Sequence, residues 1–205
     1  MGKLEANKQQ KLTSLLNTAF NLFTTQGVTK TSIAEISQKA GIAKGTFYLY
    51  FKDKYDIRNR LISHESSKLF KNAVADLEEF SIEKDEQLGF EEKIIFIINH
   101  IVDELNSNQT LLTFISKNLS WGIFKEALTT KVASDDINFK DVYYEMINAE
   151  DISLEEPEIM LFLIVELVSS TCYSAILYKE PADIDTIKPY LFKTVRAIIR
   201  EHTIR

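Results

Sequence analysis

Apolar residues recur with a helical period along most of this chain. Leu12, Leu15, Leu16, Ala19, Phe20 and Phe23 fall at three- and four-residue steps, which predicts an amphipathic helix ending before Gly27. A short helix comes next. Ser32 can accept a backbone N–H bond from Glu35 while the Glu35 side chain reaches back, a capping box, and Ile33, Ala34, Ile36 and Ala40 supply the apolar stripe. Gly41 stands where that helix ends and the backbone needs positive φ or room for close packing. From Lys44 to Phe51 a second short helix places Phe47 and Phe51 on one inward face, packing against Ile33, Ile36 and Ile42, with Thr46, Tyr48 and Tyr50 on other faces. Asp53 can cap the next helix, which continues through Ile57, Leu61 and Leu69 towards Phe80.

The rest of the pattern is also helical. Ser81 to Gly89 is acidic and polar and reads as a loop, and Phe90 to Leu105 carries a stripe of Ile94, Ile97, Ile98, Ile101 and Leu105. Asn106 to Gln109 breaks it, a helix runs from Thr110 to about Leu119, and Trp121-Gly122 interrupts before Phe124 and Leu128. After a weak stretch over 133–138, Phe139, Val142, Tyr143 and Met146 predict a further helix before an acidic loop ending at Pro157. Pro157 suits the first turn of a helix over Glu158 to Lys179 that is apolar nearly all round and so must be buried. Asp183 and Asp185 offer caps for a last helix with Ile187, Leu191, Phe192, Val195, Ile198 and Ile199; Pro189 is tolerable there in or near the first turn. No internal repeat and no strand alternation is visible, so the expected class is all-α.

Two short helices joined by a tight glycine turn, followed by an aromatic run between lysines, form the sequence pattern of a helix-turn-helix DNA reader. Charge supports this division. The chain has 24 Lys/Arg and 30 Asp/Glu, net −6, yet residues 1–62 hold ten basic and four acidic residues, net +6, leaving net −12 for the remainder. A basic head releases counterions on meeting phosphates and should bind DNA with steep salt dependence. The acidic remainder reads as a solvated surface, or as a selector of cationic ligands.

Residues 40–54, AGIAKGTFYLYFKDK, preceded by Thr31-Ser32-Ile33-Ala34-Glu35-Ile36, resemble the DNA-binding signature of the TetR family of bacterial repressors. The resemblance covers about the first quarter of the chain. It implies an all-helical homodimer with a three-helix helix-turn-helix DNA-binding head, residues 1–54, and a helical ligand-binding and dimerisation body, residues 55–205. It further implies phosphate contacts from Thr31, Ser32 and Lys54, and base or phosphate contacts from Lys44, Gly45, Thr46, Tyr48 and Tyr50. Two positions depart from the family pattern. Ala43 stands where a capping serine is frequent, and Tyr50 where histidine is frequent.

The last two helices can bury one face in their own body and pair with a second copy through the other, with Phe162, Val165, Ser169, Leu191, Val195 and Ile198 at the seam. Spacing alone leaves intrachain core equally open, and the resemblance favours the dimer because a palindromic site needs two heads. Phe96, His100, Phe114, Trp121, Phe124 and Tyr173 are candidates to line a small-molecule pocket, although aromatic residues at helical spacing are commonly core. The body could instead dock a protein partner.

His64, His100 and His202 are scattered, without paired cysteines or a His-Glu-x-x-His arrangement, so no metal site is expected. No glycine-rich phosphate loop and no nucleophile-base spacing points to a cofactor or to an enzyme. The single cysteine, Cys172, excludes an intrachain disulfide and reads as a small core residue. The amino terminus lacks the apolar core of a signal peptide, and Ile159 to Val168 is broken by Glu166 and too short to span a bilayer, so a cytoplasmic protein with no membrane partner is expected.

Overall fold

The computed structural model describes residues 3–84, 87–118, 132, 138–150 and 152–204. Among these the elements are α1 (Lys3–Gln26), α2 (Ile33–Lys39), α3 (Lys44–Phe47), α4 (Lys54–Lys84), α5 (Phe90–Ser107), α6 (Gln109–Asn118), α7 (Phe139–Ala149), β1 (Ser153–Leu154), α8 (Pro157–Leu177), α9 (Ile184–His202) and β2 (Thr203–Ile204). Backbone proximity groups them into two compact units, with the change falling between Ser67 and Lys68 inside α4, whereas the sequence reading ends the head at residue 54.

The first unit is the head. α1 packs on α2 and α2 on α3 around Leu15, Leu16, Ala19, Phe23, Ile36, Phe47, Phe51, Ile57 and Leu61, all buried. The punctuation is chemical at each junction. Gly27 and Gly41 take φ of +85° and +69°, a region that costs other residues strain. Ser32 Oγ accepts the Glu35 N–H at 3.1 Å, the first half of the expected capping box. The Glu35 carboxylate is held below its ordinary pKa by a hydrogen bond from Gln26, then by Lys39 and the Ser32 backbone. Asp53 Oδ1 caps α4 by accepting from Tyr55 and Asp56 N–H at 2.7 and 2.9 Å.

The second unit packs α5, α8 and α9 on one another. Its core includes Ile94, Ile98, Val102, Met160, Ile164, Cys172, Leu191, Val195 and Ile199. Ala73 and Leu77 of α4 meet Ile97 of α5, and Phe70 stacks on Phe139 of α7 at 4.0 Å between ring centroids. The N-terminus of α5 is tied down by charge: Glu150 at the end of α7 accepts from the Phe90 N–H and from Lys93, and Glu91 receives both Arg196 and Arg200 of α9 at 2.8–2.9 Å. Burial pushes the Cys172 thiol up to about 12, as expected of a core cysteine.

Several boundaries differ from the sequence reading. α4 continues to Lys84, because the polar stretch after Phe80 has good helix formers and no glycine or proline to stop it. α3 is assigned only over Lys44–Phe47, although Leu49 and Phe51 N–H groups still donate to Thr46 and Phe47 carbonyls, which carries the winding onward. A two-residue antiparallel pair, β1 with β2, joins Ser153 to Ile204 and Leu154 to Thr203, too short to leave an alternation in the sequence. Pro189 is the sixth residue of α9, beyond the first turn, and removes the amide that would reach the Asp185 carbonyl. α8 is flanked by two left-handed residues, Glu156 at φ +46° and Lys179 at +55°, the latter where a helix commonly ends on glycine.

Candidate nucleic-acid interface

The reader is built from what α3 hides. Phe47 and Phe51 are buried with ring centroids 5.5 Å apart, so they fix the roll of the segment between them. Lys44, Gly45, Tyr48 and Leu49 are left outward, Tyr48 half exposed with its ring edge-on to Phe47 at 5.6 Å. Thr46 is partly exposed, as is Tyr50, whose hydroxyl donates to the Lys8 carbonyl at 3.4 Å. Ala43 occupies the N-cap position of α3 in extended backbone and offers no side-chain acceptor, so the Lys44, Gly45 and Thr46 N–H end of this helix lacks a side-chain cap.

Ser32 is exposed, while Thr31 is buried and partly exposed Lys54 has partners inside the turn. Thr31 is 1% exposed; its hydroxyl donates to the Gly27 carbonyl at 2.8 Å and accepts from Gln26 at 3.3 Å. Lys54 extends its ammonium to the Thr29 and Thr31 carbonyls at 2.9 and 3.2 Å. Together they lock the turn between α1 and α2, which sets where Ser32 and the first amides of α2 point. Gln26 was not singled out in the sequence. It bridges Thr31 and, at 2.9 Å, Glu35, a link that only the folded turn reveals.

Of the expected pocket residues that the structure describes, Phe96 and His100 share an open groove of about 550 Å³ with Asn72, Asp76, Asn99 and Glu104. His100 stands between carboxylates, Nδ1 3.0 Å from Asp76 and Nε2 3.4 Å from Glu104, so both ring nitrogens have partners. Phe114 is buried in core, and the Tyr173 hydroxyl is paired with that of Tyr178 at 3.0 Å. Trp121 and Phe124 lie outside the described residues. Of the expected dimer seam, Leu191 and Val195 are buried within the subunit's own core, which corrects their assignment to a surface; Phe162, Val165, Ser169 and Ile198 remain partly exposed.

Residues 15–61 match the family model of the bacterial regulatory proteins, tetR family. Over 55 residues, 27% of this chain and 26% of the relative, the sequence is 40% identical to the HTH-type transcriptional regulator AcrR of Shigella flexneri. It is 28% identical over 78 residues to the fatty acid metabolism regulator protein of Bacillus subtilis, covering 38% of this chain and 40% of that one. These alignments thus span less than half of either relative. Among solved structures, a putative tetR family transcription regulator from Shewanella sp. PV-4 superposes with a TM-score of 0.64 at 15% identity, over 95% of this chain and 99% of that one. The regulator FadR from Bacillus subtilis in complex with stearoyl-CoA gives 0.62 at 18% identity, over 91% and 98%. At such identity these likenesses speak for the fold of the whole chain, while the sequence match speaks for its head. The matching sequence over residues 15–61, with its buried Phe47–Phe51 anchor, is that of a TetR-family DNA-binding head, and the chain as a whole shares its fold with solved TetR-family regulators.

Proposed function

We propose that the protein is a cytoplasmic homodimeric repressor that binds a palindromic operator and is released from it by a small molecule held in the body. The observation that carries the reading is the outward strip of Lys44, Gly45, Tyr48 and Leu49, held over the buried Phe47 and Phe51 on a net-basic head. A recognition segment of this kind enters the major groove, and two of them must sit about 34–36 Å apart to read successive turns of one face of the duplex.

The second copy is supported by α8. This helix is long and apolar enough to cross a membrane, with a mean hydropathy of 1.9, and only 33% of that stretch is buried. The run is therefore longer than the sequence reading allowed. Its inner face packs on α5 and α9, and its outer face presents Ile159 at 50% and Leu163 at 42% exposure, with Phe162 beside them and Glu166, Ser169 and Ser170 interleaved. Interleaved polar groups suit a protein seam better than lipid, and the need for two heads favours a second copy of this chain.

An effector acts only if it binds the DNA-competent and DNA-incompetent dimers unequally, typically by about 1–3 kcal/mol. The fatty acid metabolism regulator among the relatives and the stearoyl-CoA complex among the structural neighbours make long-chain acyl-CoA thioesters the first class to try. Selecting bound DNA from a random library with purified protein, at two salt concentrations, tests the core reading. An enriched palindrome with steep salt dependence supports it; no enrichment with or without acyl-CoA refutes it. Release by a chemical effector then separates the inducer model from control by a docked protein partner.

A further inference from the structure

One side chain in the body has more partners than its neutral form can serve. His100 of α5 places Nδ1 3.0 Å from an Asp76 carboxylate oxygen and Nε2 3.4 Å from a Glu104 carboxylate oxygen. An ionised carboxylate only accepts, and a neutral imidazole carries one N–H, its other nitrogen being a lone pair. Two such contacts at once therefore require the imidazolium, which donates from both nitrogens. With the ring neutral, one carboxylate would face a lone pair, acceptor against acceptor.

The two acids stand on different elements. Asp76 belongs to α4 and Glu104 to the next turn of α5, so the charged ring ties the two helices together, three residues along from Ala73 and Ile97 of the core. All three side chains line the open groove described above, together with Phe96, Asn72 and Asn99. The other ionisable group among the described residues lining it is Asp103, which already accepts from Lys188 of α9 and from Asn99. Asp103 therefore does not compete for the ring.

We propose that His100 is a proton-operated clasp in this groove: charged, it holds Asp76 and Glu104 together, and neutral, it keeps Asp76 and releases Glu104. The longer contact is the one given up, because a neutral ring retains a single N–H and Nδ1 is the closer donor. Imidazole is the side chain that ordinarily changes charge between pH 5 and 8. Release turns Glu104 from a compensated group into an open acceptor on the groove wall, and the groove becomes one unit more negative as pH rises. The clasp needs neither DNA nor an effector to operate. Contacts that the charged ring makes on folding add stability that is present at acid pH and is lost as pH rises through the ring's titration.

Double-mutant cycles on the full-length protein test this, with His100→Ala, Asp76→Asn and Glu104→Gln made singly and in the two pairs that include His100. The three side chains are 23%, 54% and 33% exposed, so these substitutions leave the core intact, and urea unfolding at pH 5.5 and pH 8 reads each stability. At pH 5.5 both couplings to His100 should appear, each up to about fivefold in the folding equilibrium constant, the size expected of a partly exposed ion pair. At pH 8 the Glu104 coupling should vanish while a smaller Asp76 coupling stays. A Glu104 coupling that persists at pH 8, or that is missing at pH 5.5, overturns the clasp. Nitrogen NMR of the His100 ring in the unmodified protein gives a reading free of any variant: two ring N–H groups at pH 5.5 and one, on Nδ1, at pH 8. The same protonation at both pH values overturns the clasp as well.

Discussion

Lys54 and Thr31, both expected at the phosphate backbone, are bonded to each other: the Lys54 ammonium donates to the Thr31 carbonyl at 3.2 Å and to the Thr29 carbonyl at 2.9 Å. A cation in the first turn of a helix is unfavourable with respect to the helix dipole, and the two carbonyls offset that cost. Its position therefore organises the turn that presents Ser32 and α2.

This gives Lys54→Met a distinctive signature. Losing bonds from a charged donor, worth about 1.5–3 kcal/mol apiece at most, should weaken operator binding at every salt concentration through a looser turn. The slope of log K against log salt should stay nearly constant. Were Lys54 a direct phosphate contact, that slope would fall by about 0.9. Binding titrations at four or five salt concentrations distinguish the two.

Capping can be tested from both directions in the head. Ser32→Ala removes the acceptor for the Glu35 N–H and should lower stability by about 0.5–2 kcal/mol. Ala43→Ser adds an acceptor at an N-cap whose backbone is already extended, φ −61° and ψ 140°, and should raise it by about 1 kcal/mol. Urea unfolding monitored by circular dichroism would read opposite shifts in midpoint, and equal effects of the same sign would contradict the cap assignment.

For the outer face of α8, Leu163→Asp is the sharpest change, since the side chain is 42% exposed in the subunit and its loss leaves the internal core untouched. Two copies of the residue meet the seam in a symmetric dimer. Forfeiting about 1.5 kcal/mol of apolar burial at each should weaken self-association about 150-fold, visible by analytical ultracentrifugation, with operator affinity falling in parallel. A variant that remains dimeric places the seam elsewhere.

Acid should loosen α9. The Asp183 carboxylate is held below its ordinary pKa, first by the Thr186 backbone N–H and then by the Thr186 side chain. A depressed folded-state pKa contributes stability that is present above the unfolded value, about 3.9, and is lost as pH falls through the lower folded value. Asp183→Asn keeps an acceptor without the titration, so its stability should change less than that of the unmodified protein between pH 5 and pH 2. Thermal melts across that range provide the comparison.

The head was legible because its signals are local. Ser32, Gly27, Gly41 and Asp53 each act within a few residues, and the structure finds each in its anticipated role. What escaped the sequence were choices between two partners for one side chain. A threonine followed by a serine can face phosphate or fold back on Gly27, and only the closed turn makes Thr31 do the latter. Leu191 and Val195 have the same spacing whether they meet their own subunit or another, and packing on α8 and α5 decided for the former.

The ion cluster at the start of α5 has a lopsided tolerance. Glu91 is one carboxylate serving two guanidinium groups, Arg196 at 2.9 Å and Arg200 at 2.8 Å. Each arginine is a spare for the other, so drift at either position can go unpunished while its neighbour stays. The acid has less cover: with Glu91 lost, Arg196 and Arg200 stay together on the same face of α9 without their shared partner, and the adjacent Glu92 charge acts on Arg200. Redundancy on one side of this junction thus concentrates vulnerability on the other.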